Sequence, residues 1–210
     1  MALRGGARLR SASFPTWPIF DSEDEAALLD VVRSGRWFLG DRVAEFERAF
    51  ADIHQAKHGC AVSSGTTALQ VALEAAGVGV GDEVIVPSYT FIATASSVAL
   101  VGAIPVFVDV SPDTYCIDVA AAEAAITERT RAIVAVHLGG QPADLDALKL
   151  LCENRNVRLI EDAAQAHCAE WKGRRIGAIG DLGTFSFQAS KNLNAGEGGL
   201  VAAGLRRFAI

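Results

Sequence analysis

The reactive chemistry of this chain gathers around one lysine, Lys191, in the stretch Gly183-Thr-Phe-Ser-Phe-Gln-Ala-Ser-Lys-Asn-Leu-Asn-Ala-Gly-Glu-Gly-Gly199. Lys191 follows a short apolar run and precedes a glycine-rich turn, so it stands where a strand leaves a sheet rather than on a solvated helix face. A lysine so placed can meet a ligand, and its amine, once deprotonated, forms a Schiff base with a carbonyl. Asp162, in Leu159-Ile-Glu-Asp-Ala-Ala-Gln-Ala166, directly follows a strand-like run over residues 157–160. A carboxylate there faces a crevice and can pair with a cationic ring nitrogen, or it can cap the next segment. Its neighbour Glu161 reads as a structural or solvated group. Ser64-Gly-Thr-Thr67 opens a helix, where free N–H groups and the helix dipole favour a phosphate, or where Ser simply caps. Gly65 permits close approach, Thr66 and Thr67 add hydroxyls, and Ser186 offers another donor. Phe91, after the next strand, either stacks on a flat ring or joins the core.

Taken together, a phosphate cradle, a stacking aromatic, an anion for a ring nitrogen and a late lysine describe a single ligand, pyridoxal 5'-phosphate. The lysine takes its aldehyde and the aspartate keeps its ring an electron sink. Other motifs lead elsewhere and are set aside. Gly77-Val-Gly-Val-Gly81 precedes a strand, whereas a dinucleotide loop follows one. His54 and His58 are spaced to share a helix face but have no third ligand, so no metal is expected. His137 and His167 fall at strand ends and line the crevice without forming a dyad. No G-x-S-x-G elbow surrounds Ser63 or Ser64, which excludes that route to serine hydrolysis.

These residues need a scaffold that brings them to one edge. Ser22-Glu-Asp-Glu25 opens an apolar-periodic helix like a capping box, a second helix runs over residues 43–53, and a third over 68–76 ends at Gly77. Short β-branched runs at 84–86, 106–108, 132–136 and 157–160 alternate with helical segments near 92–101, 119–126 and 145–154. Further strands are expected near 184–187 and 199–203. The alternation gives an α/β fold with a mostly parallel central sheet, in which ligands bind beyond the carboxyl ends of the strands.

The composition fits that scaffold. Half of the 210 residues are hydrophobic and 21% are charged, enough for one large buried core. A net charge of -6 without a basic stripe excludes nucleic acid as the main partner. No apolar run is long enough to span a bilayer, and no membrane partner is expected. Cys60, Cys116, Cys152 and Cys168 form no C-x-x-C pair, so a reducing cytoplasm is expected. Residues 1–13 read as a basic, loose tail without a signal-peptide core, and residues 14–210 as one domain. The aromatic-rich residues 14–20 are expected to pack either on a second subunit or on their own domain.

The chain resembles the DegT/StrS-type sugar and cyclitol aminotransferases, which are fold-type I pyridoxal-phosphate enzymes. The resemblance rests on Ser64-Gly-Thr-Thr-Ala-Leu69, Gly81-Asp-Glu-Val-Ile-Val-Pro-Ser88, Glu161-Asp-Ala-Ala-Gln-Ala166 and Phe185-Ser-Phe with Lys191-Asn-Leu-Asn-Ala-Gly-Glu-Gly-Gly199, and runs from about residue 14 to 204. It implies a three-layer α/β/α large domain and an aminotransferase that moves an amino group from glutamate or glutamine to a keto-sugar or ketocyclitol. It makes Lys191 the Schiff-base lysine and proton carrier, Asp162 the ring-nitrogen partner and Phe91 the stacking residue. Gly65, Thr66, Thr67 and Ser186 would hold the phosphate, and Gln165 would lie near the phenolic oxygen. It implies a homodimer.

Lysine at position 191 favours transamination over the family's dehydratase branch, which carries histidine there. Family members commonly read His-Leu-Tyr-Gly where this chain has His137-Leu-Gly-Gly140, which alters the edge of the substrate pocket. They are also roughly twice as long, so the chain reads as a front half without the small domain; a non-catalytic cofactor-binding or assembly fragment is the alternative. Pro15-Thr-Trp-Pro18 and Asp113-Thr-Tyr-Cys-Ile-Asp118 resemble the branch acting on cyclitols or aminohydroxybenzoate precursors.

Overall fold

The computed structural model describes residues 4–7 and 9–204. The expected tail therefore lies partly outside the described residues, and so do residues 205–210. The chain divides into two compact units, Met1–Gly40 and Asp41–Ile210. In the first, α1 spans Ser22–Ser34 and ends at Gly35, whose φ of 66° is left-handed. The helix starts one residue earlier than expected. Asp21, not Ser22, is the cap: its carboxylate accepts from Glu23 N and Asp24 N, and Asp24 returns a bond to Asp21 N. A carboxylate at the cap adds charge that the helix dipole favours, which a serine hydroxyl does not.

The second unit is built on a seven-stranded sheet. In spatial order it runs β1 (His58–Val62), β9 (Gly199–Ala203), β8 (Leu182–Ser186), β5 (Arg158–Asp162), β4 (Thr130–Val136), β2 (Glu83–Pro87) and β3 (Ile104–Val108). Within the sheet only β9 runs against the rest, pairing antiparallel with both β8 and β1. Because β8 and β9 are antiparallel neighbours, the 187–198 loop leaves and returns at one edge. That holds Lys191 over the carboxyl ends of the parallel strands.

Side-chain alternation along the strands divides the core in two. In β2, Val84 and Val86 face one cluster and Ile85 the other; in β4, Val134 and Val136 oppose Ile133 and Ala135. The first face is covered by α3 (Gly65–Ala75) and α4 (Ala93–Leu100), through Ala68, Leu69, Ala72, Leu73 and Val98. The second is covered by α2 (Asp41–Ile53), α5 (Val119–Ala124) and α6 (Leu145–Arg155), through Phe50, Ala122, Leu145 and Leu148. The architecture is the expected three-layer α/β/α arrangement. Two elements were not legible in advance: the strand β1, whose His58-Gly-Cys start carries no β-branched run, and a two-residue hairpin, β6 (Glu170–Trp171) with β7 (Arg174–Arg175). Among the described residues no helix is long and apolar enough to cross a membrane.

Glu161 ties the second layer to the sheet. It is fully buried, and its carboxylate accepts from Gly177 N at 2.7 Å, Ile179 N at 2.8 Å, Gly180 N at 2.6 Å and His137 Nε2 at 3.1 Å. Since His137 Nδ1 accepts from Ala143 N at 3.1 Å, the ring proton must sit on Nε2 and point at Glu161. Burial pushes the Glu161 pKa up, but the His137 bond and the Gly177 and Gly180 amides outweigh it and hold the group below its ordinary value. The solvated reading of Glu161 is thereby excluded.

Glu161→Gln is predicted to cost about 2–4 kcal/mol, because an amide NH2 would confront backbone donors in a site water cannot reach. A denaturant-midpoint change worth under about 0.5 kcal/mol would contradict this. The wild-type contribution is full above the unfolded pKa of about 4.3 and is lost as pH falls through the lower folded value, so acid should narrow the difference between variant and parent.

Candidate functional site

The carboxyl ends of β1, β8, β5, β4 and β2 meet at a cavity of about 450 Å³. Its walls include Gly65, Thr66, Phe91, Asp162, Gln165, Ser186 and Lys191. Seven of the eight residues singled out in the sequence are thus brought together.

The floor follows from strand registry. Asp162 closes β5 between Val136 and Thr184, and on the neighbouring strands Ser186 pairs with Gly199, which pairs with Val62. Two glycines let the start of α3 settle onto this row. A Cβ on Gly199 would lie 2.3 Å from the Ser64 carbonyl oxygen, and one on Gly65 would lie 2.7 Å from the Ser186 Cβ. Ser64 caps α3, its hydroxyl accepting from Thr67 N at 3.1 Å. Gly65 and Thr66, in the first turn, have N–H groups with no acceptor inside the helix, and both line the cavity. Thr67 differs. Its hydroxyl lies 3.1 Å from that of Ser63 and 3.0 Å from that of Ser64, and it does not line the cavity; its part is to close the cap.

Asp162 is 6% exposed. One carboxylate oxygen accepts from Thr94 Oγ1 at 2.8 Å and the other from Ala164 N at 3.2 Å. The second bond closes a local turn, and no helix follows for Asp162 to cap. Burial pushes the Asp162 pKa up, against the Thr94 and Ala164 bonds and the nearby Lys191 ammonium. A buried carboxylate held upward in this way is relieved by a cation placed opposite it. Phe91 is 65% exposed at the cavity wall, which rules out the core reading. Gln165 accepts from Gly139 N at 2.8 Å through its Oε1, leaving its NH2 as the free end.

Lys191 is half-buried in a bend, its N–H bonded to Gln188 O at 2.8 Å. The next residue, Asn192, places its Oδ1 2.8 Å from His167 Nδ1, and His167 packs among Phe50, Phe185 and Phe187. This pins the lysine loop to the second-face core. His167 and His137 therefore support the site from beneath rather than line it, contrary to expectation. His54 and His58, set aside as a metal pair, do not share a helix face: His54 follows α2 and lies buried against Ile176 O at 2.9 Å, while His58 begins β1. Thr94, Thr90, Gln188, Ser190 and Glu197 were missed. The Thr90–Thr94 spacing of four was visible, but its proximity to Asp162, 68 residues away, was not.

The sequence profile of the DegT/DnrJ/EryC1/StrS aminotransferase family matches residues 18–204. The chain is 51% identical to an L-glutamine:2-deoxy-scyllo-inosose aminotransferase of Micromonospora echinospora, over 97% of this chain and 50% of that protein. It superposes on the X-ray structure of the aminotransferase from Psychrobacter cryohalolentis with a TM-score of 0.90 and 41% identity, covering 93% of this chain and 50% of that one. A crystal structure of 3-amino-5-hydroxybenzoic acid synthase matches with a TM-score of 0.89 and 44% identity, over 92% and 51%. The chain spans about half the length of the relatives it matches.

Gly65→Ala is predicted to lever the start of α3 off Ser186 and to weaken the hold on a phosphate-bearing ligand by about tenfold, measured by absorbance titration with pyridoxal phosphate as the probe. Equal affinity in variant and parent would contradict the cradle.

Proposed function

Because the chain belongs to the DegT/DnrJ/EryC1/StrS aminotransferase family, we propose that its cavity takes pyridoxal 5'-phosphate on Lys191 and serves amino transfer from glutamine, or glutamate, to a ketocyclitol or keto-sugar. The observation that carries this reading is the meeting of Lys191, Asp162, Phe91, Ser186 and the start of α3 around one cavity of about 450 Å³.

The residues fit the cofactor by their chemistry. Gly65 and Thr66 offer first-turn N–H groups and Ser186 a hydroxyl to a phosphate dianion. Asp162, buried and with its pKa held up, would be relieved by the proton of a ring nitrogen. When bound, pyridoxal phosphate supplies a carbonyl for amine capture and a conjugated ring that accepts the electron pair left when a C–H bond breaks. Asp162 would hold the ring nitrogen's proton in place through that event. The Lys191 amine would take the proton from one carbon and return it to another. Phe91 would cover a ring face against water, and the free NH2 of Gln165 would donate to the phenolic oxygen.

Ketocyclitol amination with glutamine as donor draws on the activity for which the 51%-identical relative is named. An aminohydroxybenzoate-synthase-like reading draws on the 44%-identical structure. The same proposal includes a homodimer and a cytoplasmic setting. Phe91 and Ile92, exposed at 65% and 72%, are apolar surface that a second subunit would cover.

The test loads the chain with pyridoxal phosphate, adds L-glutamine or L-glutamate, and follows conversion of the cofactor to its amine form. Conversion is expected in the parent. It should vanish in Lys191→Ala and fall about a hundredfold in Asp162→Asn, with the melting temperature little changed. A parent that holds the cofactor on Lys191 yet converts it with neither donor would defeat the aminotransferase reading and favour the non-catalytic fragment. Parental rates in Asp162→Asn would reduce Asp162 to a turn residue.

A further inference from the structure

Asp162 does not stand alone at the end of β5. Thr94, fully buried in the first turn of α4, donates its hydroxyl proton to one Asp162 oxygen at 2.8 Å. A hydroxyl has one proton to give, so Thr94 Oγ1 can only accept from Thr90, whose Oγ1 lies 2.9 Å away. The bonds therefore run one way, from Thr90 through Thr94 to Asp162. Thr90 lines the cavity beside Phe91, so the chain begins in the wall that carries the stacking aromatic and ends on the carboxylate. Backbone anchors its middle: Thr94 N donates to Phe91 O at 3.1 Å.

We propose that Thr94 is a positioning residue for Asp162, and that the Thr90–Thr94 hydroxyl chain aims the carboxylate at the position of a cofactor ring nitrogen. The inference rests on the cofactor reading above and extends it to residues outside the expected set. With Thr94 fully buried, no solvent can replace its donor if it is lost. Burial already pushes the Asp162 pKa up, and the Thr94 bond is the first of the influences opposing it. The remaining charged or titratable groups that act on Asp162 are His137, after β4, and Lys191, in the 187–198 loop. Neither would be altered by changing Thr94.

A buried threonine at a helix start could instead serve packing alone, and the experiment separates the two roles. Thr94→Val keeps the shape and removes the donor; Thr94→Ser keeps the donor. Each protein is titrated with pyridoxal phosphate and with its deaza analogue, in which a carbon replaces the ring nitrogen. Binding is read by absorbance and the fold by melting temperature. The expected result is that Thr94→Val weakens the natural cofactor by about tenfold, leaves the deaza analogue unchanged, and is rescued by Thr94→Ser. Thr90→Val should weaken the natural cofactor in the same selective way by a smaller factor. Equal weakening of both ligands, or no weakening of either, would overturn the positioning role while leaving Lys191 as the cofactor lysine. Failure of the parent chain to bind either ligand would overturn the cofactor reading and this inference with it.

Discussion

Successive side chains of a strand point to opposite faces, and at the end of β5 this rule separates two adjacent carboxylates. Glu161 turns toward the layer of α2, α5 and α6, where three backbone amides and His137 consume its charge. Asp162 turns toward α3 and α4, where one hydroxyl, one amide and an open cavity face it. Burial works against both, yet one is held low and the other is left high. That difference lets one carboxylate bind the fold together and leaves its neighbour available to a ligand. A one-residue slip in β5 would exchange them and lose both functions at once.

The rest of the site depends on the same sheet edge. The parallel strands deliver Asp162, Ser186 and the start of α3 to one side, and the antiparallel turn into β9 brings Lys191 back over them. Close approach is achieved by omission, since side chains at Gly65 and Gly199 would strike Ser186 and Ser64. The loop that carries Lys191 is fastened from below, through Asn192 to a histidine seated among three phenylalanines. Packing on the second face thus steadies the lysine held over the first.

Much of this was legible in the sequence because the relevant signals are local. β-branched runs marked the central strands, Ser64 and Gly77 bracketed α3, and Lys191 stood between a strand and a glycine turn. The illegible parts are those set by long-range contact. β1 forms because β9 offers it an edge, not because His58-Gly-Cys prefers to be extended. The contacts of the Thr67 hydroxyl with those of Ser63 and Ser64 depend on the turn that opens α3, which spacing alone does not show. Thr94 looked like an ordinary helix residue until folding set it against Asp162.

A cavity that takes an aldehyde cofactor, as proposed, must direct it to one amine among the chain's lysines, which are Lys57, Lys149, Lys172 and Lys191. Only Lys191 lines the cavity, whereas Lys172, for example, is paired with Asp146. Incubation with pyridoxal phosphate, reduction with borohydride and peptide mass mapping read this directly. A pyridoxyl mark is expected on Lys191 at cofactor concentrations that leave the other three unmarked. Marking spread evenly over the four lysines, or absent from Lys191, would contradict it.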